Sequence, residues 1–205
     1  EEEHALPAVR CIPLLVQMLE LLDYAHSKGV VHRDLKPSNI IVLKAGTPAE
    51  NVCVLDFGIA KVLAMDTPLL AKVVGQTIGP IGTPLYMSPE QIQGQGVGPT
   101  SDLYSLALIA YAMLCGRLPA AGVPLERSLR PKWLRDWIAR CFSPDPRLRP
   151  SASQSLRYFE SQLAKRRRRI FLGTGGALLG ALVIGADGNW LTGRGEAPAQ
   201  NPSTP

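Results

Sequence analysis

The 205-residue sequence has little cysteine, few aromatics and almost no surplus charge outside one place. Its four cysteines, Cys11, Cys53, Cys115 and Cys141, form no C-x-x-C pair, which excludes the common zinc and redox motifs. Each sits in an apolar stretch, so four reduced, buried thiols are expected. Residues 1–10 open on three glutamates and contain Pro7, a pattern unlike a secretory leader. The formal net charge is +5, and the run Lys165–Arg169 accounts for all of it. A diffuse basic face is therefore absent, and no nucleic-acid partner is expected. Hydrophobic residues at 46% and charged residues at 19% are close to the globular norm, so disorder is expected only at the ends.

What is present is mostly helical. Leu15, Met18, Leu19, Leu22, Ala25 and His26 recur at helical spacing, and Gly29 stops the pattern. Val30-Val31, Ile40–Leu43 and Val52–Leu55 are short β-branched runs that read as small strands. Residues 58–100 are rich in Gly, Pro and Thr without a sustained period and read as one long functional loop. Residues 101–115 (SDLYSLALIAYAMLC) are apolar on nearly every face, as in the central helix of a domain. Pro131–Phe142 carries Trp133, Leu134, Trp137, Ile138 and Cys141 on one face, and Ser151-x-x-Gln154 is a capping box opening a helix through about Leu163.

Two short segments carry chemistry: His32-Arg33-Asp34-Leu35-Lys36-Pro37-Ser38-Asn39, and Asp56-Phe57-Gly58. Phosphoryl transfer needs a carboxylate to take the proton of the attacking hydroxyl and a cation to meet the phosphoryl charge. It also needs two hard oxygen ligands to hold Mg²⁺ against a triphosphate. Asp34, Lys36, Asn39 and Asp56 supply that set.

The two segments resemble the catalytic loop and magnesium loop of bacterial Hanks-type, eukaryotic-like protein kinases, and Lys36 two places after Asp34 is similar to the Ser/Thr class. Gly82-Thr83-Pro84-Leu85-Tyr86-Met87-Ser88-Pro89-Glu90-Gln91 resembles the end of an activation segment. The resemblance implies ATP and Mg²⁺ as cofactors and a protein Ser/Thr hydroxyl as acceptor. It makes Asp34 the catalytic base, Lys36 the partner of the phosphate, and Asn39 and Asp56 the Mg²⁺ ligands. Ile41 would underlie the adenine, and His32 would pack with Phe57. Thr83 would bridge Asp34 and Lys36, and Asp102 would hold the catalytic loop through backbone N–H groups. Glu90 would form a buried ion pair with Arg149, a structural feature rather than a catalytic one. Arg33 resembles the arginine of kinases activated by phosphorylation in the activation loop, with Thr67 and Thr77 as candidate acceptors.

The resemblance covers residues 5–163 and implies a mainly α (α+β) kinase C-terminal lobe with a few short strands, occupying residues 1–163. The 205 residues contain no glycine-rich loop before a strand and no V-A-I-K lysine, so the nucleotide lobe is missing from them. Only thirteen residues separate Pro119 from Trp133, where family members usually place a substrate-docking helix. A non-catalytic, membrane-tethered remnant that binds a partner protein is the rival expectation. Residues 164–169 form a basic juxtamembrane segment. Ile170–Ala186 is free of charge, seventeen residues that would span about 25 Å as a helix. A single transmembrane helix is expected there, with the lobe cytoplasmic and residues 187–205 a short disordered tail outside. Gly176-x-x-x-Gly180 matches a close-packing motif and suggests a homodimer.

Overall fold

The computed structural model of the chain describes residues 5–56, 84–120, 125–126 and 129–173. It divides into two compact units, residues 1–162 and residues 163–205.

In the first unit, helix α1 (Ala8–Ser27) buries Cys11, Leu14, Leu15, Met18, Leu19, Leu22 and Ala25 on one stripe. It ends where Gly29 turns to φ 75°, with Gly29 N donating to the His26 carbonyl and Val30 N to the Ala25 carbonyl. The strand expected at Val30-Val31 does not form: the Val30 N–H is used to finish α1, and the N–H groups of His32 and Arg33 are taken by a carboxylate described below.

Strands β1 (Ile40–Leu43) and β2 (Asn51–Val54) make an antiparallel ribbon with Ile41 opposite Cys53 and Val42 opposite Val52. Alternation gives the ribbon an inner face of Ile40, Val42, Val52 and Val54 and an outer face of Ile41, Leu43 and Cys53. Gln17 on α1 secures it, accepting from Val52 N at 2.8 Å and donating to the Glu50 carbonyl at 3.2 Å. Arg10 adds an ion pair to Glu50 at 2.7 Å.

The long loop expected over 58–100 is interrupted. A 3-10 turn (Pro84–Tyr86) precedes helix α2 (Pro89–Ile92), capped by Ser88, and helix α3 begins at Pro99 and runs to Cys115. Residues 57–83 lie outside the described residues. Leu103, Leu106, Ala107, Leu108, Ile109, Ala110 and Tyr111 of α3 are all buried, which makes α3 the axis of the unit. Helix α4 (Lys132–Cys141) and the start of helix α5 (Ala152–Gly173) close the core. Phe159 meets both Trp133 and Trp137 edge-on at 5.0 and 5.1 Å, and Trp137 Nε1 donates to Ser155 Oγ at 2.9 Å. The Ser151–Gln154 capping box is formed, with Gln154 N donating to Ser151 Oγ and Ser151 N to Gln154 Oε1.

The cysteine expectation needs correcting. Cys11 and Cys141 are buried, and burial pushes the Cys11 thiol up to about 11 and Cys141 higher still. Cys53 is exposed on the outer ribbon face and Cys115 is only partly covered. Helix α5 also runs ten residues past the expected end near Leu163, because Lys165–Arg168 are strong helix formers without a breaker. No helix among the described residues is long and apolar enough to cross a membrane. Of the expected span, Ile170–Gly173 closes α5, and residues 174–186, with Gly176 and Gly180, lie outside the described residues.

Glu90 and Arg149 are 4% and 0% exposed and meet through two parallel bonds, 2.7 Å at Oε1 and 2.8 Å at Oε2. The remaining hydrogen-bonding capacity is filled. Ser101 Oγ donates to Glu90 at 2.6 Å, and Arg149 Nε donates to the Ser143 carbonyl at 2.8 Å. Burial alone would raise the Glu90 carboxyl, but the bonds from Arg149 and Ser101 outweigh it and hold it at about 2. A depressed carboxyl stabilises the fold above its unfolded value of 4.5, and that contribution is lost as pH falls toward about 2. Acid titration of stability should therefore show a drop across this window. In urea denaturation at neutral pH, Arg149→Ala should cost about 3–5 kcal/mol by leaving Glu90 charged and unpaired.

Candidate active site

The catalytic loop leaves α1, crosses beneath the start of α3 and enters β1 through a 3-10 turn (Pro37–Asn39). Asp102, in the first turn of α3, is 1% exposed and holds this loop. Its Oδ2 accepts from His32 N at 2.9 Å and from His26 Nε2 at 2.8 Å, and its Oδ1 accepts from Arg33 N at 2.9 Å. A buried carboxylate with three donors is compensated where a lone one would not be. The clamp matters because Arg33 sits at φ 65°, in the left-handed region that costs a side-chain-bearing residue about 1–3 kcal/mol.

His32 is fully buried and held by two partners of opposite kind. Its Nε2 lies 2.9 Å from the Leu55 carbonyl, which can only accept, and its Nδ1 accepts from Asp34 N at 3.3 Å. Together these contacts fix the orientation of the ring. The imidazole thus ties the backbone of the catalytic loop to the end of β2, next to Asp56.

Asp34 and Lys36 make an ion pair at 2.9 Å, and their side chains are 28% and 29% exposed, open enough to meet a ligand. Asn39 Nδ2 donates to the Asp34 carbonyl at 2.8 Å and reaches Asp34 Oδ2 at 3.5 Å. That orients the Asn39 amide so that its Oδ1 meets no donor among the described residues. The Asn39 backbone carbonyl accepts from Leu55 N at 2.8 Å, so the residue before Asp56 is pinned to Asn39. Asp56 itself is at φ 51°, a second left-handed residue in the site. Two hard oxygens on neighbouring strand ends fit Mg²⁺, which takes one or two protein ligands and completes its shell with phosphate and water. Among the described residues no cluster of three or more His, Cys, Asp or Glu could hold a metal unaided.

Ile41 lies on the outer face of the ribbon, 43% exposed, on the same face as Cys53. Phe57, Gly58 and Thr83, and the candidate phosphorylation sites Thr67 and Thr77, lie outside the described residues. Three contacts were not anticipated from the sequence. His26 reaches Asp102, Ser101 reaches Glu90, and Gln91 Nε2 donates to the Arg33 carbonyl at 2.7 Å. Gln91 thereby joins α2, which carries Glu90, to the left-handed residue beside Asp34. For His26 the only sequence cue is its place at the end of the α1 stripe.

Comparison with known proteins now decides the family. Residues 1–159 match the family described as Protein kinase domain. The chain belongs to that family. The serine/threonine-protein kinase pkn2 of Myxococcus xanthus is 43% identical over 123 residues, 60% of this chain and 14% of that protein. The serine/threonine-protein kinase pkn3 of the same organism is 35% identical over 182 residues, 78% of this chain and 32% of that protein. The Mycobacterium tuberculosis PknI kinase domain superposes with a TM-score of 0.56 at 25% identity, covering 78% of this chain and 57% of that one. The chain thus spans less than a third of the length of these two curated relatives. In this kinase-family chain Asp34, Lys36 and Asn39 are joined by direct bonds, and Asp56 follows Leu55, whose N–H is bonded to the Asn39 carbonyl.

Asp102→Asn tests what organises that cluster. One of the two carboxylate oxygens becomes an NH₂ group facing an N–H donor, a loss of about 1–3 kcal/mol. Hydrogen exchange at the His32 and Arg33 amides should accelerate by about tenfold or more, with α4 unaffected. Unchanged exchange at both amides would show that the loop holds its shape without the clamp.

Proposed function

We propose that this chain is the catalytic-loop lobe of a serine/threonine protein kinase that transfers the γ-phosphoryl of ATP to Ser or Thr of protein substrates. The observation that supports it most is the Asp34–Lys36–Asn39 cluster, with Asp56 tied to it through the Asn39–Leu55 bond. Asp34 would accept the proton of the attacking hydroxyl, and Lys36, already beside it, would meet the charge on the transferred phosphoryl. Asn39 and Asp56 would hold Mg²⁺, which supplies neutralisation of the triphosphate when bound. Ile41 presents its exposed apolar side chain where a flat heterocycle such as adenine can rest on the outer ribbon face. The similarity to serine/threonine-protein kinases favours Ser/Thr over Tyr acceptors.

The reading includes a membrane anchor. Ile170–Ala186 would cross once, the basic run Lys165–Arg169 would keep the lobe on the cytoplasmic side, and Gly176 and Gly180 would serve self-association. A second reading, a non-catalytic tethered module, is favoured by one observation: only thirteen residues separate Pro119 from Trp133, where a substrate-docking helix would stand.

One experiment separates the two. The purified chain is incubated with ATP, Mg²⁺ and a Ser/Thr-containing protein acceptor, and intact masses of both proteins are measured. Gain of one or more phosphates is expected, falling by at least about a hundredfold in rate for Asp34→Asn. No gain with either protein sinks catalysis by this chain alone and leaves the module reading.

A further inference from the structure

We propose that Lys165–Arg169 form a cationic collar that binds the phosphate headgroups of anionic phospholipids of the phosphatidylglycerol class. The inference rests on the single-pass reading above and assigns that segment a ligand.

The run lies inside helix α5, and Lys165, Arg166, Arg167 and Arg168 are all exposed. At 100° per residue, the four side chains of Lys165–Arg168 are spread over about 300° with no gap wider than about 100°. Their charge therefore surrounds the helix and makes no stripe. Lys165 and Arg168 fall at helical neighbour spacing, and this pair repels. The preceding acidic residue, Glu160, is five positions before Lys165, out of reach of that spacing. Among the described residues no carboxylate pairs with Lys165, Arg166, Arg167 or Arg168. A helix that keeps such a ring is best served by anions supplied from outside it.

The geometry of the ring selects the anion. A helix lying flat on a bilayer, or in a nucleic-acid groove, needs its charge on one side. A helix passing along the bilayer normal meets headgroups on every side. Directly after the ring come Ile170, Phe171 and Leu172, the start of a stretch free of charge on every side. Charge all round, followed by none all round, matches the step from headgroup layer to hydrocarbon. Four of the five residues are Arg, whose planar guanidinium pairs with phosphate through two parallel bonds.

The test uses the full chain reconstituted in phosphatidylcholine vesicles that carry trace spin-labelled phosphatidylglycerol or spin-labelled phosphatidylcholine. The fraction of each label immobilised by the protein is read by electron spin resonance. The wild-type chain should immobilise the phosphatidylglycerol label about threefold or more over the phosphatidylcholine label. The preference should fall to parity at about 1 M salt and in the variant K165Q/R166Q/R167Q/R168Q/R169Q. Far-UV circular dichroism should show the variant equally helical, since Gln is a good helix former. Equal immobilisation by the wild-type chain, in vesicles from which alkaline carbonate does not strip it, overturns the collar and leaves the span standing. Stripping by carbonate overturns the span, and with it the headgroup-layer geometry on which the collar depends. Displacement of the lipid label by duplex DNA at equal phosphate overturns the lipid assignment in favour of nucleic acid.

Discussion

A single buried carboxylate sets the shape of the catalytic loop. Asp102 comes from the most buried of the described helices, where its charge would be costly without donors, and its donors come from elsewhere: His26 from the end of α1, His32 and Arg33 from the loop. The dependence runs both ways. Without the loop the carboxylate loses two of its three donors, and without the carboxylate the left-handed turn at Arg33 loses the bonds to its own N–H and to that of His32. From that turn the order passes outward, through His32 to the Leu55 carbonyl and through Gln91 to the Arg33 carbonyl. The Asp56 side and the Glu90 side are thus registered against the same few atoms. Stability and chemistry share one network, so a substitution far from Asp34 can still misplace it.

The Glu90–Arg149 pair plays a complementary part at the other end of α2. Removal of two charges from water is unfavourable, and the pair persists because every lone pair and proton nearby is used. Its contribution is to fix where α2 begins. Ser101 lies one residue before Asp102 and binds Glu90, so adjacent residues of α3 serve the two networks.

Much of this was legible in the sequence. The order and spacing of His32–Asn39 and Asp56–Gly58 carried the site, since few chemistries want those residue types so close together. The buried character of residues 101–115 marked the axis, and Ser151-x-x-Gln154 marked the start of α5. What escaped were contacts between residues far apart in the chain with no periodic signature. His26 to Asp102 spans 76 positions and Gln91 to Arg33 spans 58. Val30-Val31 misled because β propensity says nothing about a competing acceptor, here the Ala25 carbonyl that closes α1. Cys53 misled because a strand with one covered face alternates, and apolar neighbours in sequence then point to opposite sides. The end of α5 was placed too early because a run of cations reads as a boundary in composition while remaining good helix.

The left-handed backbone at Arg33 and Asp56 bears on how this chain can vary. Selection for folding alone would drift both positions toward glycine or asparagine, which relax there without cost, and would reject valine and isoleucine. If Asp56 holds Mg²⁺ as proposed, selection for chemistry keeps a carboxylate at position 56 whatever the backbone prefers. The two pressures oppose each other at a residue whose side chain is small enough to tolerate both. On the function proposed above, a lineage that gave up phosphoryl transfer would record the loss first at position 56, as a quiet gain in stability, long before its fold changed.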